Sequence, residues 1–375
     1  MKFVLYRPQQ LSAEQWQIYA ALRDARSIYD DPFFDPDFAR LVGDVREDTR
    51  IGFASDKDGV FAIWALHVRP GNWARPIGAP FSDWNGPILA EGTALTAQEI
   101  LAGFDLSGLT TQGFQPSGFT PTDGLRRCGA NISDMSLGWD AFIATQEQHW
   151  PKHFKKMRRL YRNVDRDFSG AQFEWDDRRD GTFQRLMALK RQQYSRTGYY
   201  DVLNAPWTKA LFDRLRHFEG RRLRARMSSL YFDDKLAAGE FNLQSDTVLH
   251  GWITAFDQAF SKYSPGNMLV QEVLAQMCQD VLTVYDAGPG LDHYKRHYSN
   301  AQMPIETGVL TGSSASLNAA RVAGKVWRFG EQVMPQKASA IMARARRRMD
   351  QIAAVDTSLT GRASGLISAL QNRPV

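Results

Sequence analysis

Residues 248–286 read VLHGWITAFDQAFSKYSPGNMLVQEVLAQMCQDVLTVYD. Val248 to Phe256 is an apolar run of strand length that ends at Asp257. The chain then passes through Phe260-Ser261-Lys262-Tyr263 into Ser264-Pro265-Gly266-Asn267, which opens a helix reaching Val281. Ser264 is a capping residue type, and Pro265 suits the first helical position because its missing N–H would be unpaired there anyway. Gly266 lets a ligand approach the backbone closely. A helix start of this kind offers free N–H groups and the positive end of the dipole, which suits a phosphate, and Lys262 adds a counter-charge. Val284-Tyr285-Asp286 follows as a short, buried type of strand. A capped helix start is common, so the reading gains weight only from what surrounds it.

Upstream, Arg224–Phe232 and Leu236–Leu243 flank the turn Asp233-Asp234-Lys235 and predict a β-hairpin before the Val248 strand. Helices are expected over Trp150–Asp167, Asp180–Arg196 and Pro206–Phe218. No internal repeat is obvious, though the first part of the chain follows the same helices-then-hairpin order. A helix over Leu11–Tyr29 with Ser12 as N-cap is followed by the Asp31-Pro32-Phe33-Phe34-Asp35-Pro36 turn and a short helix to Val42. A hairpin then forms from Ile51–Ala54 and Val60–Val68 about Asp56-Lys57-Asp58-Gly59. Residues 69–92, rich in Gly, Pro, Trp and Asn, read as a structured loop, Ala97–Phe104 as a helix and Leu109–Phe114 as a strand. From about Pro304 the pattern changes: 306–318 are small and polar, and 319–352 look helical and basic.

The chain has 375 residues, 43% of them hydrophobic and 23% charged, which excludes wholesale disorder and fits two or three domains or one large composite fold. Two cysteines, Cys128 and Cys278, imply no disulfide framework and fit a reducing compartment. Without an apolar leader after Met1 or a membrane-length apolar run, the chain reads as cytoplasmic, with peripheral contact to the inner membrane as the variant. The net charge of +5 hides an asymmetry. Residues 1–150 carry 12 Lys+Arg against 19 Asp+Glu, residues 151–300 carry 24 against 18, and residues 301–375 carry 10 against 4. An anionic ligand or surface is therefore expected at the later parts, with a solvated basic face as the plain alternative. No Ser-His-Asp, Walker-type or zinc-spaced Cys/His pattern is evident, so hydrolase and NTPase readings fall away and no metal is expected.

A hairpin, a third strand, a helix starting at a phosphate-friendly turn and a short strand is the order of a GNAT acyltransferase core. From Phe154 to Lys295 the chain resembles the acetyltransferase domain of the CelD type, named for bacterial cellulose-biosynthesis proteins. The matching residues are Lys155-Lys156-Met157-Arg158-Arg159, Leu236-Ala237-Ala238-Gly239, Tyr263-Ser264-Pro265-Gly266 and Tyr285-Asp286-Ala287-Gly288-Pro289-Gly290, then Tyr294-Lys295. Asp31-Pro32-Phe33-Phe34 and the Ile51–Val68 hairpin extend the likeness to about 300 residues, and FemAB-type transferases and holdfast or exopolysaccharide acyltransferases are similar too. The resemblance implies an α/β (α+β) fold of tandem GNAT-like halves, with the acyl donor in the second. The expected divisions are 1–145, 146–304 and a basic helical tail over 305–375.

The resemblance implies acetyl transfer from acetyl-CoA to an amino sugar, free or lipid-linked, in exopolysaccharide, cellulose or holdfast synthesis. The donor diphosphate would lie over Lys262, Tyr263, Ser264, Pro265, Gly266 and Asn267. Tyr294 falls where such enzymes place a thiolate-protonating Tyr, although a packed aromatic is the plain alternative. Lys295 would stabilise an oxyanion or hold an anionic group. Asp257 and Glu240 are the candidate bases, Asp257 also being placed to cap a turn. His250 and Asp286 are weaker candidates, Asp286 reading chiefly as turn structure. The helix with Lys152, Lys155, Lys156, Arg158, Arg159, Arg162 and Arg166 is either a solvated face or an acceptor site through Lys155, Arg158 and Arg159. Trp73 and Trp84 read as packing anchors with sugar stacking as the alternative. The basic tail, Arg321 to Arg348, suits an anionic membrane surface or cyclic-di-GMP, or packs on the second domain. No specific nucleic-acid partner is expected. Two other functions stay open: a FemAB-like aminoacyl transfer from aminoacyl-tRNA, and a degenerate GNAT serving as a binding or scaffold protein.

Overall fold

The computed structural model describes residues 1–115, 125–290, 295–312, 334 and 336–356. In the first half, β1 (Lys2–Tyr6), α1 (Ala13–Asp24) and α2 (Pro36–Val45) precede β2 (Thr49–Asp56), β3 (Gly59–Arg69), β4 (Trp73–Pro76) and β5 (Ile88–Leu89); α3 (Ala97–Gly103) and β6 (Gly108–Phe114) follow. Next come β7 (Leu125–Asp134), α4 (Gly138–His149), α5 (Pro151–Asp167), β8 (Ala171–Glu174), α6 (Asp180–Thr197) and α7 (Pro206–His217). The chain continues through β9 (Arg224–Phe232), β10 (Lys235–Gln244), β11 (Val248–Phe256), α8 (Pro265–Met277), β12 (Val284–Pro289), β13 (Ala301–Thr311) and α9 (Gln336–Val355).

Local chemistry explains the starts. The Ser12 hydroxyl accepts from Gln15 N while the Gln15 side chain returns to Ser12 N, a reciprocal cap for α1. Asp31 and Asp35 each precede a proline and accept a backbone N–H two residues on, which sets the sharp entry to α2. The predicted hairpins form as read. The stretch over 69–92, expected to be a loop, contains β4 and β5. The strand β13 runs into the small, polar stretch from 306, as far as Thr311.

All strands join one sheet in the order β1-β2-β3-β4-β6-β13-β7-β12-β11-β10-β9-β8, with β5 beside β3. In each half an antiparallel meander is followed by a helix and a strand parallel to the last meander strand: β6 on β4, and β12 on β11. Between the halves β13 inserts between β6 and β7, antiparallel to both, and β7 pairs with β12. This is the tandem GNAT-like α/β architecture. Of the proposed divisions, the one at 304 falls inside β13.

An aromatic core joins the halves. Phe33 meets Phe38 at 5.2 Å, Phe81 meets Phe212 at 5.4 Å, and Phe212 stacks on Trp252 at 4.7 Å between ring centroids. Burying each phenyl ring contributes roughly 2 kcal/mol. A second core lies under α5 and α8, where Phe154, Met157, Leu160 and Val164 meet Met268, Leu269 and Val273.

The basic tail does not stand apart where it is described. The α9 helix ends between the two halves: from the first, Arg69 donates to the Ala353 and Ala354 carbonyls and Arg46 donates to Ala354 O, and from the second, Trp207 Nε1 donates to Val355 O. These carbonyls end a helix and have no partner within it, so two guanidinium groups satisfy them and the negative end of the dipole together. Arg348 donates to Gly198 O at 2.7 Å. Residues 319–333, expected to be helical, lie outside the described residues.

Candidate active site

The β11 and β12 strands run parallel only over Val248↔Val284, Leu249↔Tyr285 and His250↔Asp286. Beyond that pair β11 continues from Gly251 to Phe256 against β10 alone, and β12 shifts register toward Pro289. The sheet therefore forks at His250 and Asp286. A β-bulge at Phe241/Asn242 deepens the bend by leaving Trp252 unmatched.

One face of the fork carries Glu240, fully buried on β10. Its Oε1 accepts from Thr254 Oγ1 at 2.7 Å and from the Tyr285 hydroxyl at 2.8 Å, while Oε2 makes no hydrogen bond. Burial pushes this carboxyl above the ordinary range, opposed by the Thr254 and Tyr285 hydroxyls and by the charge of His250. Gly251 makes the arrangement possible: a Cβ there would lie 2.3 Å from the Tyr285 oxygen and 2.9 Å from Glu240 Oε1. On α8, Asn267 Oδ1 and Gln271 Oε1 are also buried without partners, one turn apart.

The opposite face carries His250. Its Nε2 lies 3.2 Å from Asp83 Oδ2, and its Nδ1 lies 3.3 Å from Asp286 Oδ2 and 3.7 Å from Asp31 Oδ2. Burial lowers the imidazole pKa, but the carboxylates of Asp286, Asp83 and Asp31 overcome this and hold it well above its usual value. Burial raises Asp31 to about 7, with Asp286 and Asp83 adding to it and His250 opposing. Asp286 does make the turn contact expected of it, accepting from Gly288 N at 2.6 Å, but it also takes the Trp84 indole N–H. Trp84 is thus a buried anchor with a polar handle. Sequence reasoning quoted Asp31, Asp83's neighbour Trp84, His250 and Asp286 separately; nothing in their spacing brings them together.

The remaining predicted residues fall as follows. Asp257 caps the turn over Gln258–Tyr263, with Oδ1 accepting from Ala259 N and Oδ2 paired to Arg185 at 2.6 Å. Both oxygens are therefore engaged, at the far end of β11 from His250. Ser264 does not cap α8 with its side chain: it is left-handed at φ 55°, and its carbonyl accepts from Asn267 N and Met268 N. The anion cradle is narrower than expected, because Pro265 has no N–H and those two N–H groups turn inward. Gly266 stays open, its nearest non-local atom being Phe256 Cδ1, 3.8 Å from a built Cβ. Tyr263 is a core residue whose hydroxyl donates to Asp167, and exposed Lys262 lies over its ring. Lys295 is buried and donates to Pro289 O at 2.8 Å, tying the chain to the end of β12. Tyr294 lies outside the described residues. On α5, Lys155, Arg158 and Arg159 are exposed, Arg158 paired with Glu147 at 2.5 Å.

A cavity of about 1510 Å³ opens elsewhere, where the first half meets α6, α7 and α9; Arg46, Asp48, Arg191, Tyr199, Trp207 and Arg348 are among its walls. The α6 helix separates it from the fork: Arg191 and Ser195 line the cavity, while Lys190 donates to Thr254 O on β11. Its walls hold the ion pairs Arg46–Asp48, Arg191–Asp201 and Arg214–Asp44.

Residues 151–296 match the family described as acetyltransferase (GNAT) domain. Among curated proteins none matches the sequence. The solved structures that resemble the chain include FemX, with 10% identity over 86% of this chain and 100% of that chain and a TM-score of 0.52. A tandem GNAT protein from the clavulanic acid biosynthesis pathway has 10% identity over 84% and 99%, with a TM-score of 0.48. A GCN5-related N-acetyltransferase from Kribbella flavida has 11% identity over 75% and 97%, with a TM-score of 0.39. The chain carries a GNAT-type acyltransferase domain, and its fold is shared with FemX. Among the described residues no helix is long and apolar enough to cross a membrane.

Proposed function

We propose that the protein is an acyl-CoA-dependent N-acyltransferase, most simply an acetyltransferase, with an amino sugar of a bacterial polysaccharide as acceptor. The observation that carries this reading is the buried Glu240 at the fork, with one carboxylate oxygen held by Tyr285 and Thr254 and the other without a hydrogen bond. Acetyl-CoA would supply an acyl group activated as a thioester. The open backbone at Gly266, with Asn267 and Gln271 on the first turns of α8, would hold its polar arm. Glu240 would take the proton from the attacking amine, since a carboxyl raised by burial is a stronger base than an ordinary glutamate. Tyr285 and Thr254 would hold that carboxylate in place, and Lys295 would fix the β12 end. Tyr294 remains the proposed acid for the departing thiolate.

The exposed cations of α5, Lys155 and Arg159 foremost, would attract an anionic acceptor such as a nucleotide- or lipid-linked sugar. The exposed side chains of Arg346 and Arg347 would likewise serve anionic lipid or cyclic-di-GMP.

Calorimetry with acetyl-CoA, followed by thiol release in the presence of amino-sugar acceptors, tests the reading. Wild type should bind the donor and turn over, and Glu240→Gln should bind it equally while kcat falls by about two to four decades. No donor binding at millimolar concentration would sink it. Turnover with aminoacyl-tRNA instead would favour a FemAB-like transfer, and a phenotype surviving Glu240→Gln would favour a scaffold.

A further inference from the structure

The cluster on the other face of the fork is not used by this mechanism. Asp31, His250 and Asp286 are 8%, 0% and 2% exposed. Each is anchored on its outer side: Asp31 Oδ1 accepts from Phe33 N at 2.9 Å, Asp286 Oδ1 accepts from Gly288 N at 2.6 Å, and His250 Nε2 faces Asp83 Oδ2 at 3.2 Å. That leaves Asp31 Oδ2, Asp286 Oδ2 and His250 Nδ1 turned toward one another, all within 4.8 Å. Neither Asp31 Oδ2 nor His250 Nδ1 makes a hydrogen bond, although both atoms are shut off from water. Two buried carboxylates and the part-exposed Asp83 face one imidazole, an excess of negative charge that a bound cation would offset.

We propose that Asp31, His250 and Asp286 bind a divalent transition-metal ion, Zn²⁺ or Mn²⁺, with Asp83 as the outer carboxylate on the His250 ring. Metal–ligand bonds of about 2.0–2.2 Å to nitrogen and oxygen require neighbouring ligand atoms roughly 3.0–3.6 Å apart. The His250 Nδ1 distances to Asp286 Oδ2 and Asp31 Oδ2, 3.3 and 3.7 Å, already approach this. A hydrogen bond from Nε2–H to Asp83 selects the tautomer whose Nδ1 lone pair points at the site, the usual support of a metal-bound histidine. Trp84 Nε1 donates to Asp286 Oδ2, the oxygen that would face the ion, and so fixes its direction. An imidazole ligand favours these ions over Mg²⁺, which prefers an all-oxygen octahedral shell. Asp31 and Asp83 come from the first half of the chain and His250 and Asp286 from the second, so the ion would clamp the halves together beside the fork.

The test uses the full-length protein stripped with EDTA and titrated with ZnCl₂ or MnCl₂. One of the two should bind with one equivalent per chain and raise the Tm, with a change in Trp84 fluorescence that Trp84→Phe abolishes. Asp83→Asn, at a side chain that is 36% exposed, should keep the circular dichroism spectrum and weaken binding about 10–100-fold. His250→Ala and Asp286→Asn should lose the equivalent altogether. Failure of the stripped wild type to take up either ion overturns the proposal, as does uptake unchanged in Asp83→Asn and His250→Ala. These outcomes are independent of donor binding and turnover.

Discussion

At the scale of single residues, Glu240, Tyr285 and Gly251 form one unit. The glycine is required by the space its neighbours leave, not by turn geometry, and any Cβ would displace the Tyr285 hydroxyl from Glu240. Burial raises the Glu240 carboxyl and the Tyr285 donor lowers it. A base must be ionised to act, so activity should fall on the acid side as Glu240 takes up a proton. Tyr285→Phe removes a donor to the charged form, and the acid limb of the kcat/KM profile should move to higher pH without loss of fold. The stability sign is the reverse of the usual carboxylate case. A pKa raised on folding gives stability that is full below the unfolded value and lost as pH rises through the folded one. Glu240→Gln should therefore flatten the decline in Tm as pH rises above the ordinary carboxylate range. The sequence exposed Glu240 as an unusual charge within an apolar strand, but it could not show which of Glu240 and Asp257 was spoken for. That depended on Arg185, 72 residues from Asp257 along the chain.

At the scale of elements, α9 is held by side chains that serve two purposes. Asp48 lies between Arg46 at 2.8 Å, Arg69 at 3.2 Å and His67 at 3.3 Å, and the same two arginines receive the last carbonyls of α9. Burial opposes ionisation of Asp48, but His67 and Arg46 hold its carboxyl far below the usual range. Burial depresses His67 to about 4, so it is neutral at physiological pH and accepts from Gly78 N. A lowered carboxylate pKa gives stability present above the unfolded value and lost as pH falls through the folded one. Asp48→Asn should cost about 3 kcal/mol at neutral pH, with the difference from wild type shrinking in acid, read by urea denaturation across pH. Limited proteolysis of the variant should cut first within α9. The sequence revealed the basic character of this helix but not its docking, because the arginines that bind its end belong to β-strand and turn residues about 280–310 positions earlier.

At the scale of the whole molecule, the two halves complete each other's sheet. The β7 and β13 strands lie side by side between β6 and β12, so each half's parallel strand gains its outer neighbour from the exchanged pair. Residues 151–296 alone would leave the β12 edge bare and should express as aggregate, whereas residues 1–312 should stay soluble, as judged by size-exclusion chromatography. What the sequence by itself determined was local: the hairpins, the capped helix starts and the strand–turn–helix order that points to a GNAT core, all encoded within windows shorter than one supersecondary unit. It did not disclose β7 or β13, whose Gly, Pro and polar residues carry no clean alternation and which are strands because of the partners they meet. It also gave no sign that Asp31, His250 and Asp286 meet, for they stand 219 and 36 residues apart. Only the tertiary structure decided those features, because contacts between segments remote in sequence, and the burial they impose on charge, are properties of the assembled sheet.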